Sequence, residues 1–354
     1  MLAVDVLDAD RPGCRRAEKP SGFVSTFAMG PAYPRAGMPS TAPSAAEDLV
    51  ASVSMSEGTI GDDEAVQVVD IEHRSFEASL ARAAELGGAD LIFTSPPYPD
   101  ARPGQYGGDA SHDFTWADYQ RLGDCVMSAL RPGGFCGIVI DGPVRHWRSK
   151  EIGSERSLIA FKLAIDWAER IGLRYVEHCA YVRDGAPGVF GDRWRSGWEP
   201  VHVFQRPGLG HFDASAYTVP TLNPGARHRK LRYRDASMRQ TEGSRGVRVV
   251  GETKALTTAL MHGPCSGSVN DRDHPAPFTG WLVDAFVLCY CPPSGLVCDP
   301  YLGSGTTALS AAKHGRRFVG GDLGARERDG RRWADIARER AMEIVDPVQQ
   351  RLFV

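Results

Sequence analysis

From Ala65 onward, short apolar runs rich in β-formers alternate with longer amphipathic runs, and this rhythm constrains the fold more than any other feature of the chain. "AVQVV" reads as a buried strand. "SFEASLARAAEL" follows as a helix, with Ser75 as its N-cap and Leu80, Ala84 and Leu86 on its apolar face. "ADLIFT" is a second strand. "TWADYQRLGDCVMSAL" is a helix with Tyr119, Leu122, Val126 and Leu130 at helical spacing, ended by "RPGG", and "FCGIVIDG" is a third strand. "RSLIAFKLAIDWAERIGL" is another helix, and "YVEHCAYV" and "EPVHVFQR" are two more strands. After a break over residues 207–262 the rhythm resumes with a helix at "FTGWLVDAFVLCY", capped by Thr279. A strand, glycine loop and helix follow at "GLVCDPYLGSGTTALSAAKHG", then a strand at "RRFVGGDL" and a charged final helix. Alternation of this kind predicts an α/β fold with a mostly parallel sheet flanked by helices.

Two stretches carry chemistry. In the first, the strand Leu296–Cys298 runs into Asp299 and Pro300, then Tyr301, Gly303-Ser304-Gly305 and a helix starting near Thr306. Glycines allow a tight turn and close approach of a ligand to the backbone, and the helix N-terminus beyond offers free N–H groups. A Walker loop would need a lysine before its Ser/Thr, and a dinucleotide fingerprint a third glycine; neither is present. The next strand ends in Asp322, about 20 residues on, where an acid accepts hydrogen bonds from ribose hydroxyls in nucleotide folds. The expected ligand is a nucleoside without a phosphate requirement.

The second stretch is Thr94-Ser95-Pro96-Pro97-Tyr98, directly after an apolar strand. Two prolines neither donate to a ladder nor continue a helix, so the strand ends in a stiff, extended segment with a hydroxyl at its start and an aromatic ring at its tip.

Composition sets the remaining bounds. The net charge is −3, so a nucleic-acid partner would have to meet a local basic patch. One exists: "RHRKLRYR" places Arg227, Arg229, Lys230, Arg232 and Arg234 within eight residues. For a charge run alone a solvated loop is the simpler reading, and in an acidic chain the run is also a candidate phosphate contact. The eight cysteines include no C-x-x-C pair and mostly sit in apolar surroundings, which implies reduced core thiols in a cytoplasmic protein. No signal peptide is visible, and the longest apolar run, Trp281 to Cys291, contains Asp284 and is too short to span a bilayer. No metal site is expected. Residues 1–62, rich in Pro, Ala, Ser and Gly, read as a disordered tail.

Taken together, "TSPPY" and "DPYLGSGTT" resemble the catalytic and cofactor motifs of the S-adenosylmethionine-dependent DNA amino-methyltransferases, and "HPAPF", with His274, Pro275 and Phe278, is similar to that family's segment before the cofactor motif. The catalytic motif precedes the cofactor motif, with the basic segment between them. That order resembles the circularly permuted β class. The resemblance implies a Rossmann-like methyltransferase fold organised as a catalytic half over 63–206, an inserted target recognition region over 207–262, a cofactor-binding half over 263–345 and a short tail over 346–354. It implies S-adenosylmethionine as cofactor, held by the His274 segment, by Asp299 to Thr306 and by Asp322. Double-stranded DNA is the implied partner, met by the basic run, with a nucleoid-associated place in the cytoplasm. Three positions depart from the pattern: Tyr301 stands for the usual Phe, Thr279 for a Pro, and His73-Arg74-Ser75 for Gly-Asp-Ser. The last departure leaves the adenine contact to Asp70 or Glu72.

The resemblance also implies a mechanism. The target base flips out of the duplex, Ser95 and the Pro96 carbonyl accept hydrogen bonds from its exocyclic amine, Pro97 stiffens the segment, and Tyr98 stacks on the base. Ser in the motif favours cytosine-N4, whereas Asp is commoner in adenine-N6 enzymes. Pro264-Cys265 and Cys291 read as structural, which sets cytosine-C5 chemistry aside. RNA and release-factor amino-methyltransferases carry the cofactor motif first, against the order here. A decayed enzyme that retains binding, a restriction-protective role beside a cognate restriction endonuclease, and a solitary role all stay open, as does the oligomeric state.

Overall fold

Ser75 begins the first helix by accepting a hydrogen bond from the Ala78 N–H at 3.3 Å, as its place before an apolar run predicts. The structure, a computed structural model, describes residues 69–98, 114–146, 154–182, 194, 196–229, 247–261 and 279–345. In chain order the elements are β1 (Val69–Glu72), α1 (Phe76–Glu85), β2 (Ala89–Thr94), α2 (Trp116–Ala129), β3 (Leu130–Val139), β4 (Val144–His146), β5 (Ser154–Arg156), α3 (Ile159–Glu169), β6 (Arg174–Val182) and β7 (Trp198–Gln205). Then come β8 (Thr218–Pro220), β9 (Arg227–Arg229), β10 (Val247–Val249), β11 (Thr253–Ala255), β12 (Ala259–Leu260), α4 (Gly280–Tyr290), β13 (Leu296–Asp299), α5 (Thr306–Lys313), β14 (Arg317–Gly321) and α6 (Trp333–Met342).

One eight-stranded sheet runs β1-β14-β13-β2-β3-β7-β6-β12. Its first five strands are parallel, β7 is antiparallel to both neighbours, and β12 pairs parallel to β6. Strands buried on both faces read as continuous apolar runs, and β2 and β13 are buried throughout. Alternation along each strand feeds two cores. Leu91, Phe93, Val203, Val297 and Phe318 pack toward α4, α5 and α6. Ile92, Cys136, Ile138, Cys298 and Val319 pack toward α1, α2 and α3, where Tyr119, Leu122 and Trp167 are fully buried. Burying one such large side chain contributes about 1.5–3 kcal/mol, so the three layers are held mainly by these faces.

The chain advances outward from β2 to β3 in one direction and from β13 to β14 in the other. The crevice between β2 and β13 is therefore the point where strand order reverses, the place where open α/β sheets bind ligands at their carboxyl ends.

Several local expectations are corrected. The first described strand is Val69–Glu72; residues 65–68 of "AVQVV" lie outside the described residues. On α1 the buried positions are Phe76, Ser79, Leu80 and Ala83, whereas Ala84 is exposed. The helix packs on a sheet and a second helix together, which turns its buried stripe by one residue. "RPGG" does not follow α2 as a loop: the chain passes from Ala129 straight into β3, and the register slips between the Ala89 and Leu91 pairings. Thr279 is the N-cap of α4, but its hydroxyl bonds to the Tyr181 phenol at 2.9 Å. The region 207–262 folds locally as two antiparallel pairs, β8 with β11 and β9 with β10, before β12 rejoins the main sheet. The tails at 1–62 and 346–354 lie outside the described residues.

Candidate active site

Where β13 ends, the chain turns back through Asp299-Pro300-Tyr301-Leu302-Gly303-Ser304-Gly305 into α5. Gly303 and Gly305 have φ of 52° and 92°, left-handed conformations that favour glycine. A Cβ on Gly305 would also lie 2.6 Å from the Cβ of Ala337, so α6 sits directly behind the turn. Arg340 of α6 donates to the Ser304 carbonyl, and the Leu302 N–H donates to the Gly321 carbonyl at 3.1 Å. Beyond the turn the first-turn N–H groups of α5, at Thr306 and after, have no intrahelical acceptors.

Asp299 is the hub of this loop. One carboxylate oxygen accepts from the Thr94 hydroxyl at 2.7 Å and the Tyr301 N–H at 3.1 Å; the other accepts from the Thr307 hydroxyl at 2.6 Å. The side chain is buried. Burial raises its pKa to about 6, against the lowering pull of the hydrogen bonds from Thr307, Thr94 and Tyr301. Asp299 therefore braces the loop from behind.

Asp322 closes the other side. Its two oxygens accept from the Gly303 N–H at 2.8 Å and the Gly324 N–H at 2.7 Å. Burial raises its pKa, opposed by those two N–H groups and by His73. A carboxylate has about four lone-pair positions, so each oxygen keeps one for a ligand hydroxyl. The cradle fits a nucleoside cofactor on these grounds: glycine conformations, free helix N–H groups and a half-buried acid with acceptor capacity.

The neighbouring strand β2 ends at Thr94, and Ser95-Pro96-Pro97-Tyr98 leave the sheet without regular structure. The bond from Thr94 to Asp299 thus joins the two chemistry-bearing motifs across 205 residues of sequence. Ser95 is half-buried and Pro96 buried. Tyr98 packs half-buried against the core that also carries Phe114, Trp116 and Tyr301. Tyr119 of α2 donates its phenol hydrogen to the Pro97 carbonyl at 2.5 Å.

Other expected positions fall differently. Asp70 is engaged by Arg74 and, at 2.8 Å, by Arg82, and Glu72 is exposed. Arg227 and Arg229 lie on β9, with Arg227 exposed. Lys230, Arg232 and Arg234, and likewise His274, Pro275 and Phe278, lie outside the described residues. Cys291 is buried at the end of α4, and burial, with the Asp90 charge, pushes its thiol up to about 12, which leaves no thiolate for attack at neutral pH. Among the described residues no group of three His, Cys, Asp or Glu could hold a metal, and no helix is long and apolar enough to cross a membrane.

Thr94, Thr307 and Tyr119 bond to the candidate site residues, and sequence reasoning does not single them out. Thr94 and Thr307 stand inside the quoted motifs, and that membership is the signal the sequence offers for them. Tyr119 reads from periodicity only as a core position.

A model of the DNA methylase family matches residues 89–329, more than half of the chain. The orphan methyltransferase M.BamHII of Bacillus amyloliquefaciens is 24% identical over 259 residues, which cover 72% of this chain and 89% of its own. The type II methyltransferase M.ScaI of Streptomyces caespitosus is 41% identical over a shorter stretch of 61 residues, 17% of this chain and 20% of its own. Among solved structures, M1.HpyAVI in complex with SAM aligns over 77% of this chain and 98% of its own at 14% identity, with a TM-score of 0.47. The cytosine-N4-specific PvuII DNA methyltransferase aligns over 73% and 86% at 18% identity, also with a TM-score of 0.47. With β2 and the glycine-loop strand β13 side by side at the switch point of the sheet, the chain belongs to the N6/N4 DNA methylase family.

Proposed function

We propose that this protein transfers a methyl group from S-adenosylmethionine to the exocyclic N4 amine of a flipped cytosine in duplex DNA. The observation that carries the reading is the hydrogen bond from Thr94 to Asp299, which sets the Ser95–Tyr98 segment beside the glycine loop. S-adenosylmethionine, bound in that crevice, supplies an activated methyl group on a cationic sulfur. The loop from Asp299 to Thr306 shapes its seat, and Asp322 accepts from its ribose hydroxyls.

The amine of cytosine is a poor nucleophile because its lone pair is delocalised into the ring. Ser95 Oγ accepts one amine hydrogen and the Pro96 carbonyl the other. Two fixed acceptors draw the nitrogen toward tetrahedral geometry and localise its lone pair. Tyr98 stacks on the extrahelical base, and the basic run from Arg227 to Arg234 meets phosphates. Catalysis on this reading is positioning and electrostatics, without a covalent intermediate. Ser rather than Asp at position 95 supports cytosine over adenine.

The test is mass spectrometry of digested nucleosides after incubation with mixed-sequence duplex DNA and isotopically labelled S-adenosylmethionine. Label in N4-methylcytosine is expected. Label in N6-methyladenine would keep the site and overturn the base assignment. Bound cofactor with no label in either base, on DNA that contains every short target sequence, would identify a binding protein that has lost catalysis.

A further inference from the structure

We propose that Tyr119, on a helix face otherwise given to packing, is a positioning residue that sets the torsion aiming Tyr98. The proposal rests on the catalytic reading of the Ser95–Tyr98 segment.

Proline fixes its own φ and has no N–H, so neither Pro96 nor Pro97 can be held through its amide. The soft torsion between the stiff pair and Tyr98 is ψ of Pro97. Rotation about it swings the Pro97 carbonyl and the Tyr98 amide together, because the peptide between them is planar. Holding that carbonyl oxygen therefore fixes the direction in which Tyr98 leaves the loop. The phenol of Tyr119 holds it at 2.5 Å.

Tyr119 is itself immobilised. The residue is fully buried. Its ring meets Phe114 edge-on at 4.7 Å and lies tilted against Trp116 at 6.4 Å. Its backbone carbonyl accepts from the Trp167 indole at 3.1 Å. The preceding residue, Asp118, accepts from the Thr115 N–H at 2.8 Å and the Thr115 hydroxyl at 2.6 Å, which anchors the start of α2. A donor fixed at ring, backbone and helix start is aimed at one atom of an otherwise irregular loop.

The decisive variant is Tyr119→Phe, which removes one oxygen and keeps the ring. In the full chain we expect single-turnover methylation to slow by about 10- to 100-fold, in the range that a displaced reacting group produces. Cofactor affinity should stay within about twofold, and hydrogen exchange should quicken in the peptide spanning Phe93–Tyr98. Ser95→Ala serves as the reference for the catalytic reading. Faster exchange with unchanged turnover would make Tyr119 a structural residue only and overturn the proposal. Unchanged exchange and unchanged turnover would overturn it as well. If Ser95→Ala retained full turnover, the catalytic reading itself would fall and this proposal with it. If Ser95→Ala lost turnover while Tyr119→Phe did not, the positioning role alone would fall.

Discussion

Two loops leave adjacent strands at the same edge of the sheet, and they are held differently. The loop after β13 is braced from within by left-handed glycines and Asp299, and from neighbouring elements by Asp322, the Gly321 carbonyl and Arg340. The segment Ser95–Tyr98 after β2 contains no acid and two residues without an N–H, and its anchors include Asp299, through the preceding Thr94, and Tyr119, at Pro97. The glycine loop carries one brace of its own in Asp299, whereas the hydrogen bonds named for the Ser95–Tyr98 segment come from outside it. The Thr94 bond makes the second segment depend on the first loop, through a single buried carboxylate.

The largest effect should come from removing that carboxylate. Asp299→Ala leaves three donors, two hydroxyls and one N–H, without their acceptor in a buried site. At about 1–3 kcal/mol for each buried unsatisfied group, a loss of at least 3 kcal/mol of stability is expected. Denaturant unfolding checks the stability, and calorimetry with S-adenosylmethionine should show that cofactor binding falls with it. Thr94→Val cuts only the link between loops. A variant that lost turnover while keeping the cofactor would confirm the dependence; one that kept both would break it.

Next in size is Ser95→Ala. With one of two amine acceptors gone, turnover should drop about 100-fold, comparable to the removal of one preorganised hydrogen-bonding partner elsewhere, while cofactor affinity holds. Asp322→Ala should do the reverse. We expect cofactor Kd to rise about tenfold, or about 1.4 kcal/mol, with a smaller effect on the rate of bound complex. Intact cofactor binding in Asp322→Ala would overturn its ribose assignment and leave it as a brace for Gly303 and Gly324.

A smaller, pH-dependent effect follows from Asp299. Its pKa in the folded protein is raised to about 6 by burial, above the ordinary carboxyl value. The native state therefore binds the proton more tightly than the unfolded state. This group's contribution to stability is fully present below the unfolded pKa and is lost as pH rises through about 6. Asp299→Asn cannot titrate. The melting temperature of the wild-type chain relative to Asp299→Asn should thus rise as pH is lowered from 8 toward 5. A difference that stayed flat would mean that the hydrogen bonds from Thr307, Thr94 and Tyr301 fully offset the burial.

The same contrast explains what the sequence disclosed. The strand, turn and helix around the glycine loop are legible because glycine at left-handed φ and an acid at a strand end are local requirements with few solutions. The Ser-Pro-Pro-Tyr segment is legible as a motif, but its supports are not: Tyr119 stands at an ordinary helical core spacing, and its hydrogen bond exists only once α2 is packed. Shifts of one residue, such as Ala83 buried in place of Ala84, arise because a helix wedged between a sheet and another helix turns to suit both. Thr279 had the right position for a cap and a different partner, Tyr181, which no local pattern announces. The two antiparallel pairs of the region 207–262 are three-residue strands, too short for periodicity to register.

The smallest expected effect tests whether Tyr301 belongs to the loop's binding function or to its packing. Its ring stacks on Phe76 at 5.6 Å and meets Phe114 edge-on at 5.8 Å, so the aromatic body is well housed. Its hydroxyl is buried and has no hydrogen-bond partner among the described residues. A buried hydroxyl without a partner costs about 1–3 kcal/mol relative to the same site without the oxygen. Tyr301→Phe keeps the ring, removes that cost and returns the residue usual in the resembling motif. It should raise stability by about 1 kcal/mol, a shift of about 2 °C in Tm for a chain of this size, with turnover unchanged. A lower Tm would mean that the hydroxyl is bonded after all. Lower turnover at unchanged Tm would mean that it reaches toward the ligand, so that the glycine loop contributes a side chain as well as its backbone to binding.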